Sequence, residues 1–176
     1  MALDVNRHET AELLSSSCLL ERAVLSAFAD GNLMPLFRIA EYRHRAWLLM
    51  LTHLRPTMAA LHQRFGYPGV FPSWQTEDYD DTMELAENGS AWDFELTAAC
   101  PAQDGEGWLH ATGSRNGFVT LRAQAAEAQL QPCPEGLRLL SWRGRLLVTD
   151  SAAFRDGLYS GLGDGRAHGI GLMTID

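Results

Sequence analysis

Residues 158–176 carry glycines at Gly161, Gly163, Gly165, Gly169 and Gly171, and among them stand Arg166 and His168. A backbone stripped of Cβ atoms reaches positive φ and lets its N–H groups approach an anion closely. A guanidinium adds a fork for phosphate, and an imidazole adds a proton carrier near neutrality. The chemistry open to this combination is holding a phosphate. It is not a P-loop, because no Lys-Ser or Lys-Thr follows and the apolar run 170–175 reads as a closing strand rather than a helix. The structural alternative is a glycine-rich turn that only closes the last strand.

The elements that would position this stretch belong to a chain of 176 residues, 46% hydrophobic, enough for one domain or two small ones with a sizeable core. No apolar run reaches the ~20 residues of a membrane span, and the start MALDVNRHE lacks a signal-peptide h-region, so the expected address is the cytoplasm. Cys18, Cys100 and Cys133 lie far apart without paired ligand spacing, which predicts no zinc site and suits a reducing compartment. The net charge of −8 argues against a broad nonspecific nucleic-acid surface. All 14 basic residues are arginine. Coding bias accounts for that, and a preference for bidentate phosphate contacts is the functional alternative.

In chain order, a short alternating stretch at 2–5 precedes a helical pattern over 9–29, in which Leu13, Leu14, Leu19, Leu20, Val24, Leu25 and Phe28 recur mostly at helical spacing. The serines at 15–17 interrupt it and predict a first turn that ends there, with the main helix starting at Ser17. Strands at 36–41 and 46–52 form a hairpin across Tyr42, Arg43, His44 and Arg45, and 57–65 reads as a helix behind Pro56. A fourth strand near 71–75 would complete a βαββαβ unit. The acidic segment 77–87 reads as a solvated face between two halves. The second half repeats the plan: a strand at 92–97, a brief helix at 108–113, a strand at 118–121, a hairpin within 137–148 turned at Arg143-Gly144-Arg145, a helix at 151–159 capped by Asp150 or Ser151, and the closing strand. The expectation is an α+β protein of two tandem ferredoxin-like (βαββαβ) domains, 1–86 and 87–176.

The segment Arg143-Gly-Arg-Leu-Leu-Val-Thr-Asp150, followed by a helix and by Gly161-Leu-Gly-Asp-Gly-Arg-Ala-His-Gly-Ile-Gly-Leu-Met173, resembles the C-terminus of the CasE family, the crRNA-processing subunit of type I-E CRISPR Cascade. Leu3-Asp-Val-Asn6, Ala11-Glu-Leu-Leu14, Ala23-Val-Leu-Ser-Ala-Phe28, Trp92-Asp-Phe-Glu-Leu-Thr-Ala-Ala-Cys-Pro101, Trp108-Leu109 and Gly117-Phe118 fall in the family's order, so the likeness spans nearly the whole chain. It implies two ferredoxin-like domains and a metal-independent endoribonuclease without cofactor. Such an enzyme binds the repeat hairpin of CRISPR precursor RNA and works with other Cascade subunits, with no membrane involved. In that chemistry a 2′-hydroxyl attacks the adjacent phosphate, which demands in-line positioning, proton removal and protonation of the leaving oxygen.

The family's catalytic Tyr and His, three residues apart on the first long helix, align here with Cys18 and Glu21. A carboxylate could act as base but is a poor general acid at neutral pH, and Cys18 could be a weak donor. The other reading of Glu21 is an exposed helical carboxylate paired with a neighbour. RNA-binding features are thinned: Ala111 and Thr112 stand where arginines are common, leaving His110 and Arg115, and the linker is reduced to 102–107. Arg166 matches the family's basic loop residue, with Gly163 and Gly165 beside it as a phosphate backbone. Arg143 and Arg145 could reach an RNA backbone from their turn, and Arg7 and His8 are candidates by position. His168 replaces the loop's usual aromatic and reads as a packing substitute; His44, His53 and His62 lie on segments the family does not use for chemistry. Three functions follow as alternatives: a hairpin-binding subunit with cleavage weakened, rerouted or lost; an endoribonuclease that cuts through a non-histidine site at Glu21 or through a histidine elsewhere; and a protein-interaction module that occupies or mimics the CasE position.

Overall fold

In the computed structural model, which describes residues 1–29, 35–69, 74–101, 104–135 and 138–176, the chain forms two antiparallel sheets, each packed against its own helices. The first half runs β1 (Ala2–Leu3), α1 (His8–Leu14), α2 (Ser17–Leu25), β2 (Leu36–Tyr42), β3 (Arg45–Leu51) and α3 (Met58–Phe65). The second runs α4 (Asp80–Glu84), β4 (Ala91–Ala99), α5 (Gly105–Arg115), β5 (Phe118–Glu127), β6 (Leu139–Val148), α6 (Ser151–Ser160), a 3-10 helix (Asp164–His168) and β7 (Met173–Ile175). The second sheet has the order β5-β6-β4-β7, and the first β1-β3-β2. On the free side of β1, Leu3 bridges Gly66, the Asp4 N–H donates to Phe65 O at 2.9 Å and the Tyr67 N–H to Ala2 O at 3.1 Å. The residues just after α3 thus take the lane of a fourth strand, and both halves follow the ferredoxin-like plan. Of the strand expected at 71–75, residues 71–73 lie outside the described residues, and Trp74 and Gln75 are not strand.

Local chemistry sets the boundaries. The break at the serines occurs where expected: Ser16 Oγ accepts from the Leu19 N–H at 3.4 Å and starts α2. A side-chain oxygen at that position satisfies one of the donors a helix start leaves open. Asp104 caps α5 through the Gly107 N–H at 2.8 Å, and Asp150 caps α6 through the N–H groups of Ala152 and Ala153, both at 3.1 Å. The hydrophobic face of α2 buries Leu20 and Val24 against Phe37, Ile39 and Leu48 of the first sheet.

The expected hairpin at Arg143-Gly144-Arg145 does not form. β6 runs unbroken through all three residues, hydrogen-bonded to β4 on one side and β5 on the other, and the hairpin is β5–β6 with its connection at 128–138. Leu140, Trp142, Leu146 and Val148 point into the core at period two, and Ser141, Arg143 and Arg145 occupy the other face. Gly144 is needed for close approach: a Cβ there would stand 2.0 Å from Arg122 O, beside the register shift between Thr120 and Arg122. The acidic segment also does more than face water. Its Met83 and Ala86 are buried in the second core, and the Tyr79 hydroxyl both accepts from the Ile175 N–H at 2.7 Å and donates to Ile175 O at 3.3 Å. That phenol satisfies backbone groups on the open side of β7, and its burial raises its pKa above the ordinary value.

The two halves are stitched along the outer side of β2. The Phe37 N–H donates to Gly169 O at 2.7 Å, the Ile39 N–H to Oε1 of the buried Gln131 at 3.1 Å, and Arg143 to Glu41 O at 3.3 Å. Behind that edge, Arg38 is buried and donates to Glu95 Oε2 and Thr174 Oγ1, each at 2.8 Å.

Candidate functional site

The glycine-rich segment is a closed loop fixed from several directions. Its neck is the bond from the Leu162 N–H to Gly171 O at 2.9 Å, and the Gly171 N–H continues to Thr97 O on β4 at 3.1 Å. At its far side Gly169, with φ of 71°, offers its carbonyl to Phe37 on β2. Gly163 and Gly165 face inward: a Cβ on Gly163 would stand 2.9 Å from Trp108 Cζ2 and 3.0 Å from Ala99 O, and one on Gly165 2.8 Å from Ile170 Cβ. Trp108 is itself stacked on Trp142 at 5.0 Å between ring centroids. These two glycines therefore answer close packing, and the side chains displayed outward are Asp164, Arg166, Ala167 and His168, all exposed. The 3-10 turn that presents them was not expected from the sequence, which read the segment as a turn straight into strand.

His168 is the residue that sequence reasoning placed wrongly. It is not packed in place of an aromatic ring: its side chain is 46% exposed, and its Nδ1 lies 3.3 Å from Glu21 Oε2 on α2. An ionised carboxylate only accepts, so Nδ1 is the donor in that hydrogen bond. Glu21 is thus paired, as one of its two readings had it, and the neighbour is a histidine 147 residues away. Cys18 is exposed one turn earlier on α2, the i, i+3 spacing that shares a helix face. Among the described residues no hydrogen bond or ion pair joins it to another group.

Arginines divide into two kinds. On the polar face of the second sheet, Glu95 lies opposite Arg143 and Asp93 opposite Arg145 across β4 and β6. Glu95 Oε1 holds Arg143 Nε at 2.9 Å, and Asp93 Oδ1 holds Arg145 at 3.4 Å with Arg122 at 3.9 Å. The turn from which Arg143 and Arg145 were expected to reach RNA is absent, and both charges are answered inside the protein. Arg115 and His110 are exposed on α5, where Arg115 donates to Ala111 O at 3.3 Å and Thr112 Oγ1 at 3.4 Å. Arg7 is drawn to Asp4 at 3.5 Å and to two carbonyls at the end of α3. Arg166 on the loop and Arg22, next to Glu21 on α2, are exposed and have no ion-pair partner among the described residues, as is also true of Arg43, Arg45, Arg55, Arg64 and Arg115 elsewhere on the surface. Unspent positive charge thus stands on the two elements that His168 and Glu21 join. No set of three His, Cys, Asp or Glu side chains among the described residues could hold a metal ion, and no described helix is long and apolar enough to cross a membrane.

The family model described as CRISPR associated protein matches residues 1–106 and 99–176, together the whole chain. A CRISPR-associated protein from Thermus thermophilus superposes with a TM-score of 0.74 at 20% identity, covering 99% of this chain and 96% of its own. Thermus thermophilus Cse3 bound to an RNA representing a pre-cleavage complex gives 0.69 at 19% identity over 99% and 95%. A chain of Escherichia coli Cascade bound to a PAM-containing double-stranded DNA target gives 0.56 at 15% identity over 93% of each. At these identities the likeness establishes the two-domain fold. No curated protein matches the sequence.

Proposed function

Because the chain belongs to the CRISPR associated protein family, we propose that it binds the repeat hairpin of CRISPR RNA as a subunit of an effector complex. The observation that carries this reading is the division of the arginines: the sheet-face cations are spent on Asp93 and Glu95, while Arg166 and Arg22 are unspent on the loop and helix joined by His168 and Glu21. Loop and helix come from different halves of the chain and are anchored to both sheets, so a phosphate backbone laid across them meets a preformed surface. Recognition of a stem by shape and backbone needs few side chains. Cse3 held on RNA and the Cascade chain share this fold, and they support RNA and further protein subunits as partners. α2 carries Cys18 and Glu21 at the positions the resemblance gives to tyrosine and histidine, and binding needs neither.

A contact confined to the loop and helix, through Arg166 and Arg22, makes a quantitative expectation. With Z of about 2 to 3 phosphates neutralised, log K falls against log salt with a slope of about −2, far shallower than for a protein making six to ten contacts. Fluorescence anisotropy with labelled cognate repeat hairpin, from 20 to 200 mM salt, measures it. Tight low-salt binding that prefers the hairpin over a scrambled single strand is the expected result. No binding of the hairpin at low salt contradicts the proposal and favours a protein-interaction module.

A further inference from the structure

We infer that the repeat-cleaving chemistry of this chain has moved from the helix to the glycine-rich loop, with His168 as the catalytic base and Glu21 as its positioning residue; this rests on the hairpin-binding reading above. The geometry is that of a base held by an orienting carboxylate. Glu21 Oε2 accepts a hydrogen bond from Nδ1 at 3.3 Å, and the neutral tautomer this favours presents the Nε2 lone pair on a side chain that is 46% exposed. Glu21 is only 26% exposed, so α2 supplies the inner, shielded partner and the loop the outer, reactive one. The same loop displays Arg166 two residues before, able to meet a phosphate whose charge rises during displacement. Neither residue reaches this arrangement alone. Gly169 and the Leu162–Gly171 neck hold the loop against β2 and β4, and the cap at Ser16 fixes the start of α2.

The step balances without metal or co-reactant. Nε2 of His168 accepts the proton of the 2′-hydroxyl as O2′ bonds to phosphorus, the bond from phosphorus to the 5′-oxygen breaks, and that oxygen takes a proton from a water whose hydroxide then receives the Nε2 proton, returning the imidazole to its starting state. The products are a 2′,3′-cyclic phosphate and a 5′-hydroxyl. Glu21 remains a carboxylate throughout and stabilises the imidazolium that forms.

The test is single-turnover cleavage of labelled cognate repeat RNA by excess full-length protein in EDTA, with hairpin affinity measured on the same samples. The wild type cuts the RNA and spares a 2′-deoxy control at the scissile nucleotide. His168→Ala binds with unchanged order of affinity and cuts about 10²- to 10⁴-fold more slowly, the range a positioned general base supplies, and added imidazole restores part of the rate. Glu21→Gln slows the step about tenfold at unchanged affinity, and Glu21→Asp recovers part of that loss. His44→Ala, whose side chain is fully exposed, leaves the rate as it is. A wild type that binds but does not cut, or a His168→Ala variant that cuts at the wild-type rate, overturns this assignment and leaves hairpin binding standing. A wild type that does not bind the hairpin overturns both.

Discussion

Glu95→Ala lowers the unfolding free energy by about 3 kcal/mol, read from chemical denaturation. Arg38 is held inside the fold with its side chain 6% exposed, and Glu95 Oε2 at 2.8 Å is the carboxylate that answers its charge. Removing that carboxylate leaves a desolvated guanidinium with the Thr174 hydroxyl as its one remaining hydrogen-bond partner among the described residues, and Arg38 Nε is already without a partner. Breaking a buried pair from one side costs about 3–5 kcal/mol because the remaining charge is uncompensated. Glu95 is 32% exposed, so water entering at its position holds the figure to the lower end. For a chain of this size that is a fall in Tm of about 6–12 °C. Arg143→Ala touches the same carboxylate from a side chain that is 64% exposed and costs less than about 1 kcal/mol. The contrast between the two variants is the diagnostic. A loss below about 0.5 kcal/mol for Glu95→Ala shows that Arg38 is not sealed between the halves.

Gly169→Ala strikes the loop itself. The residue sits at φ of 71°, where a side chain costs about 1–2 kcal/mol, and an added Cβ would stand 2.3 Å from Phe37 Cε1 and 2.7 Å from Pro35 O. Phe37 is 3% exposed inside the first core, so neither neighbour yields cheaply. The chain relieves the overlap by lifting the loop from β2, which breaks the bond from the Phe37 N–H to Gly169 O and carries His168 away from Glu21. Stability falls by about 3 kcal/mol. The cleavage proposed for His168 falls about a hundredfold, as expected when a reacting group shifts by about 1 Å. Retained cleavage with lowered stability would show that the loop acts without its anchorage.

Much of this architecture is legible locally. The β2–β3 hairpin follows from two apolar stretches across a polar turn, α6 from Asp150 ahead of Ser151, and the start of α2 from the serine run, because each rests on residues a few positions apart. β6 was legible too, since Leu140, Trp142, Leu146 and Val148 keep period two straight through Gly144. The glycine between two arginines hid that period by imitating a turn. β5 reaches Glu127 where only 118–121 was expected, because residues 121–127 are exposed throughout and show no alternation. The site is of another kind. Glu21 and His168 meet across 147 positions, and Arg38 and Glu95 across 57. Such pairs are products of how two sheets dock, which no spacing rule encodes. What the sequence could offer was each residue's type and the oddity of a histidine in a glycine-rich loop.

Amide hydrogen exchange of the protein with and without cognate repeat hairpin shows whether RNA lies on the face made by α2 and the glycine-rich loop. Added protection is expected over residues 17–25 and 161–171, with the β4–β6 face around Asp93, Arg122 and Arg145 unchanged. Protection confined to that sheet face, with the loop and α2 exchanging as in the free protein, would contradict it.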